Sequence, residues 1–249
     1  MFKKIIGFTL AEVLIVIGIL GVVATLTIPT VNNNINKHHY TTALKTISMS
    51  LSDKFRSQMA IEDVATVGDL RAFVNSTTSE EFLKELSEFM LLTAVDAPHE
   101  VLNLNGTVPN ASQDYLKPVW QPKLMRRTSH GAFIHMLSYE PAGTAGTGDK
   151  APLAIKARGG SLLIRYATIC IDINGYKGPN RAGRDVFKFY LGQDGILYPA
   201  GGFDAGLWDL ASPSLWRHSE HPDFDCIDEK SKGYGCAGRI EEDDWKMLY

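Results

Sequence analysis

A single carboxylate stands inside a long apolar stretch near the beginning of the sequence. From Phe8 to Ile28 every residue is apolar or small except Thr9, Glu12, Thr25 and Thr27, and only Glu12 carries a charge. A charged side chain deep in a membrane helix costs about 2.5–3.5 kcal/mol on insertion scales, so residues of this kind are usually paired and functional. Glu12 is therefore the first candidate functional residue, and we expect it to have a partner.

The apolar stretch is long enough to cross a membrane. A helix of about 20 residues spans the hydrocarbon layer, which is about 30 Å thick. Lys3 and Lys4 precede the stretch. Because positive residues are retained on the cytoplasmic side, the amino terminus is predicted to be cytoplasmic and the rest of the chain to lie outside the inner membrane.

Two other interpretations of this segment stay open. Val22-Val23-Ala24 is an acceptable cleavage site for an ordinary secretory signal peptide, since it follows an apolar stretch. A plain membrane anchor has the same length and composition. Neither interpretation explains why a carboxylate stands at Glu12.

The residues around Glu12 match a known processing motif. Two lysines, a glycine and a phenylalanine precede the glutamate in the run Lys3-Lys4-Ile5-Ile6-Gly7-Phe8-Thr9-Leu10-Ala11-Glu12-Val13-Leu14-Ile15. This run resembles the prepilin motif of type IV pilins and type II secretion pseudopilins. The resemblance implies that cleavage follows Gly7, that Phe8 becomes the N-methylated terminus, and that Glu12 aligns subunits during assembly. It also implies that Pro29 kinks the helix, because proline lacks a backbone donor.

The resemblance also predicts how the chain is divided and which partners it meets. Residues 1–7 would be the leader peptide, 8–30 the transmembrane and polymerisation helix, and 31–249 a periplasmic stem helix with a globular head. The expected partners are the prepilin peptidase, other pilin or pseudopilin subunits and the assembly platform of the bacterial inner membrane. The protein would cross that membrane once and then enter a pilus or pseudopilus.

The remaining sequence predicts an α+β head. Apolar residues at helical spacing continue the first helix to about Met59, and Thr78 with Glu81 is typical of a capping box that begins a second helix. The dipeptides Asn174-Gly175 and Asp194-Gly195 are typical of hairpin turns. Strands are expected over 162–173, 186–191 and 196–198. An antiparallel sheet packed on the long helix follows, which is also the pilin-like fold that the resemblance implies.

A loop rich in side-chain oxygens follows the longest predicted strand. Calcium prefers oxygen ligands of this kind. The loop is not an EF-hand, because its glycine comes too early and the twelfth position counted from Asp172 is Gly183. Some pseudopilins hold calcium in a loop near the carboxyl end of the head, so the resemblance makes Asp172, Asn174 and Asp185 candidate ligands. The alternative, that these residues only build turns, stays open, and no cofactor is expected to be required.

The three cysteines are too few for a disulfide scaffold. Cys226 and Cys236 flank a polar loop, whereas Cys170 stands in an apolar run. We expect one disulfide between Cys226 and Cys236, and a buried thiol at Cys170.

Neither the charge nor the motifs of the chain indicate nucleic-acid binding or catalysis. The net charge is −3, so no general field favours nucleic acid as a partner. The sequence contains no nucleophile elbow, phosphate loop or zinc-binding spacing, and an enzyme is not expected. The expected function is structural, as a pilin or pseudopilin subunit. The alternative is a minor pilin at the filament tip whose head binds a ligand, a surface or DNA.

The processing motif makes a prediction about the mature terminus. We expect mass spectrometry of the mature protein to find a chain that begins at N-methylated Phe8, because the motif directs cleavage after Gly7. A bulky or charged residue in place of Gly7 is expected to leave the precursor uncut. A mature terminus at Thr25 would instead establish the secretory signal peptide.

Overall fold

The computed structural model describes residues 9–110, 116–139, 154–156, 162–201, 226–227 and 230–249. The chain divides into two compact units, Met1–His39 and Tyr40–Tyr249. The first unit is helical in its described part, and the second contains helices and sheets with a core of its own. The α+β fold class is thus confirmed.

One long helix, α1 (Leu10–Glu62), belongs to both units. Its large apolar side chains between Leu10 and Ile35 are exposed. Among the described residues, α1 is the helix whose length and composition suffice to cross a membrane. The predicted continuous helix is therefore observed, with an apolar first part that lacks a protein covering.

The second part of α1 buries one face in the head. Leu44, Ile47, Leu51 and Phe55 recur three or four residues apart, which places them on one side of a helix. All four are buried in the main core. The main sheet described below packs against these four side chains.

Two further helices follow, α2 (Arg71–Val74) and α3 (Ser79–Met90). The predicted capping box at the start of α3 is confirmed, because the Thr78 hydroxyl accepts the backbone N–H of Glu81 and the Glu81 carboxylate accepts the N–H of Thr78. The apolar face of α3 enters the main core through Phe82, Leu83, Leu86 and Met90.

The strands form one main sheet and one small sheet. They are β1 (Thr93–Ala94), β2 (His99–Glu100), β3 (Val119–Trp120), β4 (Met125–Arg127), β5 (Phe133–Tyr139), β6 (Ala154–Lys156), β7 (Leu162–Asp172), β8 (Val186–Gly192) and β9 (Leu197–Pro199). The main sheet is antiparallel in the order β1-β4-β5-β7-β8-β9, with β6 paired to β7, and β2 pairs with β3 separately.

The connection between β7 and β8 differs from the prediction. Asn174-Gly175 was expected to form a tight hairpin, but β7 ends at Asp172 and β8 begins only at Val186. Gly175 does adopt a positive φ of 62°, as the dipeptide indicates, yet the turn lies inside a longer loop. The turn preference of Asn174-Gly175 does not set the length of this connection, because the contacts of Asp172 and Asp185 described below hold a longer loop.

The two faces of the main sheet have different coverings. Successive strand residues point to opposite faces, and Ile169, Ile171 and Phe187 point to the main core with α1 and α3. Cys170 and Tyr190 point to the other face, where a second cluster also contains residues of β3, β4, β5 and the loops. The second face is the one that carries buried polar side chains.

A short helix, α4 (Cys236–Glu242), lies near the carboxyl end. A disulfide joins Cys226 to Cys236 with 5.1 Å between their Cα atoms, and both residues are buried. Cys170 is a buried free thiol. Gly183 has a φ of +76°, and a Cβ there would lie 2.5 Å from Cys236 Sγ. The β7–β8 loop is therefore packed tightly against the disulfide.

The disulfide is expected to stabilise the head. Because it closes a loop with a sequence separation of 10, replacing both Cys226 and Cys236 by alanine should lower the free energy of unfolding by about 2.5–3 kcal/mol. The corresponding fall in melting temperature is roughly 6–10 °C, measured by circular dichroism on the full chain. Cys170→Ala is the matched control, since it removes a sulfur without opening a loop. An unchanged melting temperature in the double variant would contradict a stabilising role.

Candidate functional site

Gly7 and Phe8, the predicted cleavage and methylation residues, lie outside the described residues. The described chain begins at Thr9, which forms a capping box with Glu12. Glu12 Oε2 accepts two hydrogen bonds from Thr9, one from the backbone N–H at 2.8 Å and one from the Thr9 hydroxyl at 2.9 Å. In return, the Glu12 N–H donates to Thr9 Oγ1 at 3.3 Å. Glu12 was predicted from the sequence to be functional. The capping box was not predicted, although the Thr9-x-x-Glu12 spacing is typical of one.

The capping box holds the carboxylate of Glu12 at the amino end of α1. The first N–H groups of a helix have no intrahelical partner, and the helix dipole favours negative charge there. Both Thr9 donors go to Oε2, and Oε1 has no hydrogen-bond partner among the described residues. One oxygen is therefore left to accept a further donor.

Pro29 lies inside α1. Because proline has no backbone N–H, the carbonyl of Thr25 loses its usual helical partner. Three threonine hydroxyls nearby donate back to helix carbonyls at 2.8, 3.0 and 3.4 Å, from Thr25, Thr27 and Thr30. Back-bonding of this kind slightly destabilises a helix and often bends it. The kink predicted at Pro29 stays a prediction.

Asp172, the first candidate calcium ligand, is fully buried and fully engaged in hydrogen bonds. Its Oδ2 lies 2.6 Å from His99 Nε2. Its Oδ1 accepts the backbone N–H groups of Asn174 at 3.0 Å and Gly175 at 2.9 Å. The Asp172 carboxylate thus holds the first turn of the β7–β8 loop and links β2 to the end of β7.

Asp185 organises the other end of the same loop. Its Oδ1 accepts the N–H of Arg181 at 2.6 Å, and its Oδ2 accepts the N–H of Asn180 at 2.9 Å and Asn174 Nδ2 at 3.1 Å. Asn174 also donates to the hydroxyl of Tyr40 on α1 at 3.2 Å. The structure therefore brings the three predicted ligand residues into one hydrogen-bonded network.

The electrostatics of this network follow from its burial. Burial and the nearby charge of Asp172 raise the pKa of Asp185 to about 6. Burial also raises the pKa of Asp172, and its contact with His99 partly offsets that shift. Asn174 Oδ1 is buried without a hydrogen-bond partner. Among the described residues no group of three or more His, Cys, Asp or Glu side chains is placed to hold a metal ion.

Sequence analysis missed the histidines of the second sheet face. His99 is 1% exposed and lies between the rings of Trp120 and Phe133, at 5.2 Å from each centroid. His135 stacks on Trp120 with centroids 4.7 Å apart and an interplanar angle of 7°. The apolar residues around His135 in β5 are typical of a buried strand, but no local signal indicates the partner of this histidine.

Cys170 lies opposite His135 in the register of β5 and β7. Burial raises the pKa of the Cys170 thiol to about 12. The group is therefore a neutral thiol at physiological pH, and a thiolate nucleophile is not available at this position.

Comparison with protein-family models, curated proteins and solved structures found no match to the chain. The assignment of a function therefore depends on the residues and geometry given above.

The calcium prediction is tested by thermal melting. Calcium takes six to eight oxygen ligands, whereas the carboxylates of Asp172 and Asp185 are occupied by N–H donors and His99. We expect melting curves of the full chain with calcium and with a chelator to coincide. A lower melting temperature in chelator, lost in Asp172→Ala, would establish a bound cation instead.

Proposed function

We propose that the chain is a pilin or pseudopilin, a structural subunit of a type IV pilus or a type II secretion pseudopilus. The observation that carries the proposal is the position of Glu12 in a prepilin-like motif. This carboxylate stands four residues after Phe8, the residue that follows the predicted cleavage site. The exposed apolar surface of α1 supports it, since a helix of this kind needs lipid or other helices around it.

Cleavage after Gly7 would create a charged partner for Glu12. The new terminus at Phe8 carries an amine, and the amine of one subunit can meet the carboxylate of the next inside the bilayer. A paired charge costs far less in a low-dielectric bundle than a lone one. The capping box supports this step, because it keeps Glu12 at the amino end of the helix with Oε1 available.

The proposed pathway has a defined order of partners. The prepilin peptidase removes residues 1–7 at the cytoplasmic face of the inner membrane, and the assembly platform then adds the subunit to other subunits. The unit Tyr40–Tyr249 has its own core, which fits a head that folds in the periplasm. A disulfide between Cys226 and Cys236 fits the same oxidising compartment.

Replacing Glu12 separates a filament subunit from a membrane anchor. In a plain anchor, Glu12→Leu removes a group that is unfavourable in lipid, so the variant would insert at least as well as the parent. In a filament, the same change leaves the Phe8 amine unpaired, and breaking a buried pair typically costs about 3–5 kcal/mol at each contact. We expect Glu12→Leu to be cleaved and to accumulate in the inner membrane, yet to be missing from sheared filaments or to fail in secretion.

Thr9→Val is the matched control for this experiment. It removes the hydroxyl of the capping box but keeps the carboxylate, and loss of an N-cap typically costs about 1 kcal/mol. We expect immunoblots of sheared fractions to show reduced but clear incorporation of Thr9→Val. Equal incorporation of Glu12→Leu and the parent would rule out the intersubunit pair. The abundance of the parent in those fractions separates a major subunit from a minor tip pilin.

A further inference from the structure

The second face of the main sheet buries three ring nitrogens that have no hydrogen-bond partner among the described residues. They are His99 Nδ1, Trp120 Nε1 and His135 Nδ1, and none of the three residues is more than 2% exposed. Buried polar atoms without a partner are rare in folded proteins, and each one calls for an explanation. The three atoms belong to rings in contact across β2, β3 and β5.

Of the two histidines in this group, only His99 has a side-chain hydrogen bond to a described residue, whereas His135 has none. It is bound by stacking on Trp120 and lies opposite Cys170 of β7. Lys188 of β8 is the next residue in the same row across the sheet. A second proton on the His135 ring would therefore create a buried charge whose Nδ1–H has no acceptor among the described residues.

The charges that face His135 also disfavour the protonated, charged form of its ring. His99 of β2 and Lys117, which precedes β3, both act on it with positive charge. The carboxylate of Asp172, at the end of β7, is already bound to His99. A charged His135 would thus meet repulsion and would receive no compensating contact.

The small sheet β2–β3 covers His135 through Trp120. Among the described strands, no backbone ladder joins β2 or β3 to the main sheet. The small sheet is held there by side-chain packing, by the pair of His99 with Asp172, and by backbone bonds of Leu102, just after β2, to the β7–β8 loop. Trp120 is fully buried, and its stack on His135 is the closest ring contact between the two sheets. Loss of that stack would expose Trp120 while the main core around α1 stays intact.

We propose that His135 is an acid-sensitive latch, whose protonation breaks the stack on Trp120 and releases the small sheet β2–β3 from the main sheet. The latch is closed at neutral pH and opens as the surroundings become acidic. It is a property of the head alone and holds whether or not the chain enters a filament.

The pH window follows from the direction of the His135 titration. Burial, followed by the charges of His99 and Lys117, lowers the pKa of His135 from 6.5 to about 3. A histidine with a lowered pKa stabilises the closed state above pH 6.5, and that contribution is lost as the pH falls from there towards 3. The raised pKa values of Asp172, which is bound to His99 of β2, and of Asp185 act in the opposite direction, so the contribution of His135 is isolated by comparing the parent with a variant that lacks this ring.

Hydrogen exchange read by mass spectrometry tests the latch on the full chain in detergent micelles. After correction for intrinsic exchange, the opening constant of amides in β2 and β3 should be about thirty-fold larger at pH 5 than at pH 7.5, since each unit below 6.5 is a factor of ten. His135→Phe keeps an aromatic ring on Trp120 and cannot titrate, so its opening constant should be equal at the two pH values.

His130→Phe is the matched control, because His130 is exposed in the turn between β4 and β5. This variant should open with the same pH dependence as the parent. A parent chain without pH dependence in β2 and β3, or a His135→Phe variant that retains it, would overturn the proposal.

A direct titration covers the case in which His135→Phe does not fold. In nitrogen-15 spectra of the parent at pH 6, the ring of His135 should be neutral in the closed protein. A His135 ring that is protonated at pH 6 with the small sheet still protected from exchange would rule out the latch.

Discussion

Helix α1 presents two different surfaces along one continuous backbone. Inside a bilayer every backbone polar group needs a partner within its own segment, and a helix supplies those partners. Up to Ile35 the helix exposes its large apolar side chains, whereas from Leu44 onward a buried stripe packs into the head. The core of the head forms around the second part of the helix only. The first part keeps an apolar surface that lipid or other helices can cover.

The main sheet repeats this division between its two faces. One face meets the stripe of α1 and the apolar side of α3 and is largely apolar, with Arg126 of β4 donating to the Ser87 hydroxyl of α3. The other face buries histidines, a thiol and a carboxylate, and its polar groups depend on specific partners rather than on area. The carboxylate of Asp172 has three hydrogen-bond partners, whereas His99 Nδ1, Trp120 Nε1 and His135 Nδ1 have none among the described residues.

Sequence periodicity was sufficient for the elements but not for the contacts between them. The α3 capping box depends on four consecutive residues, and the long helix and the strands of 162–198 depend on repeats that a short window contains. The pairing of His99 with Asp172 joins residues 73 positions apart, which no local pattern encodes. The β7–β8 loop shows the same limit of sequence-based prediction, because the sequence alone leaves open whether its side-chain oxygens bind calcium or only build turns. The direction of the surrounding N–H groups decides which atoms those oxygens meet, and only the folded chain reveals it.

The capping box at the start of α1 sharpens the question of why Glu12 is charged. Capping alone does not require a carboxylate, because glutamine at the same position completes an equivalent box and is less unfavourable in lipid. A charge that capping does not need calls for a second partner, and the proposed amine of Phe8 in a neighbouring subunit provides one. Thr9 occupies Oε2 and leaves Oε1 without a described donor, so the two contacts do not compete. The box thus accounts for where the carboxylate is held, and the proposed intersubunit pair accounts for its being a carboxylate at all.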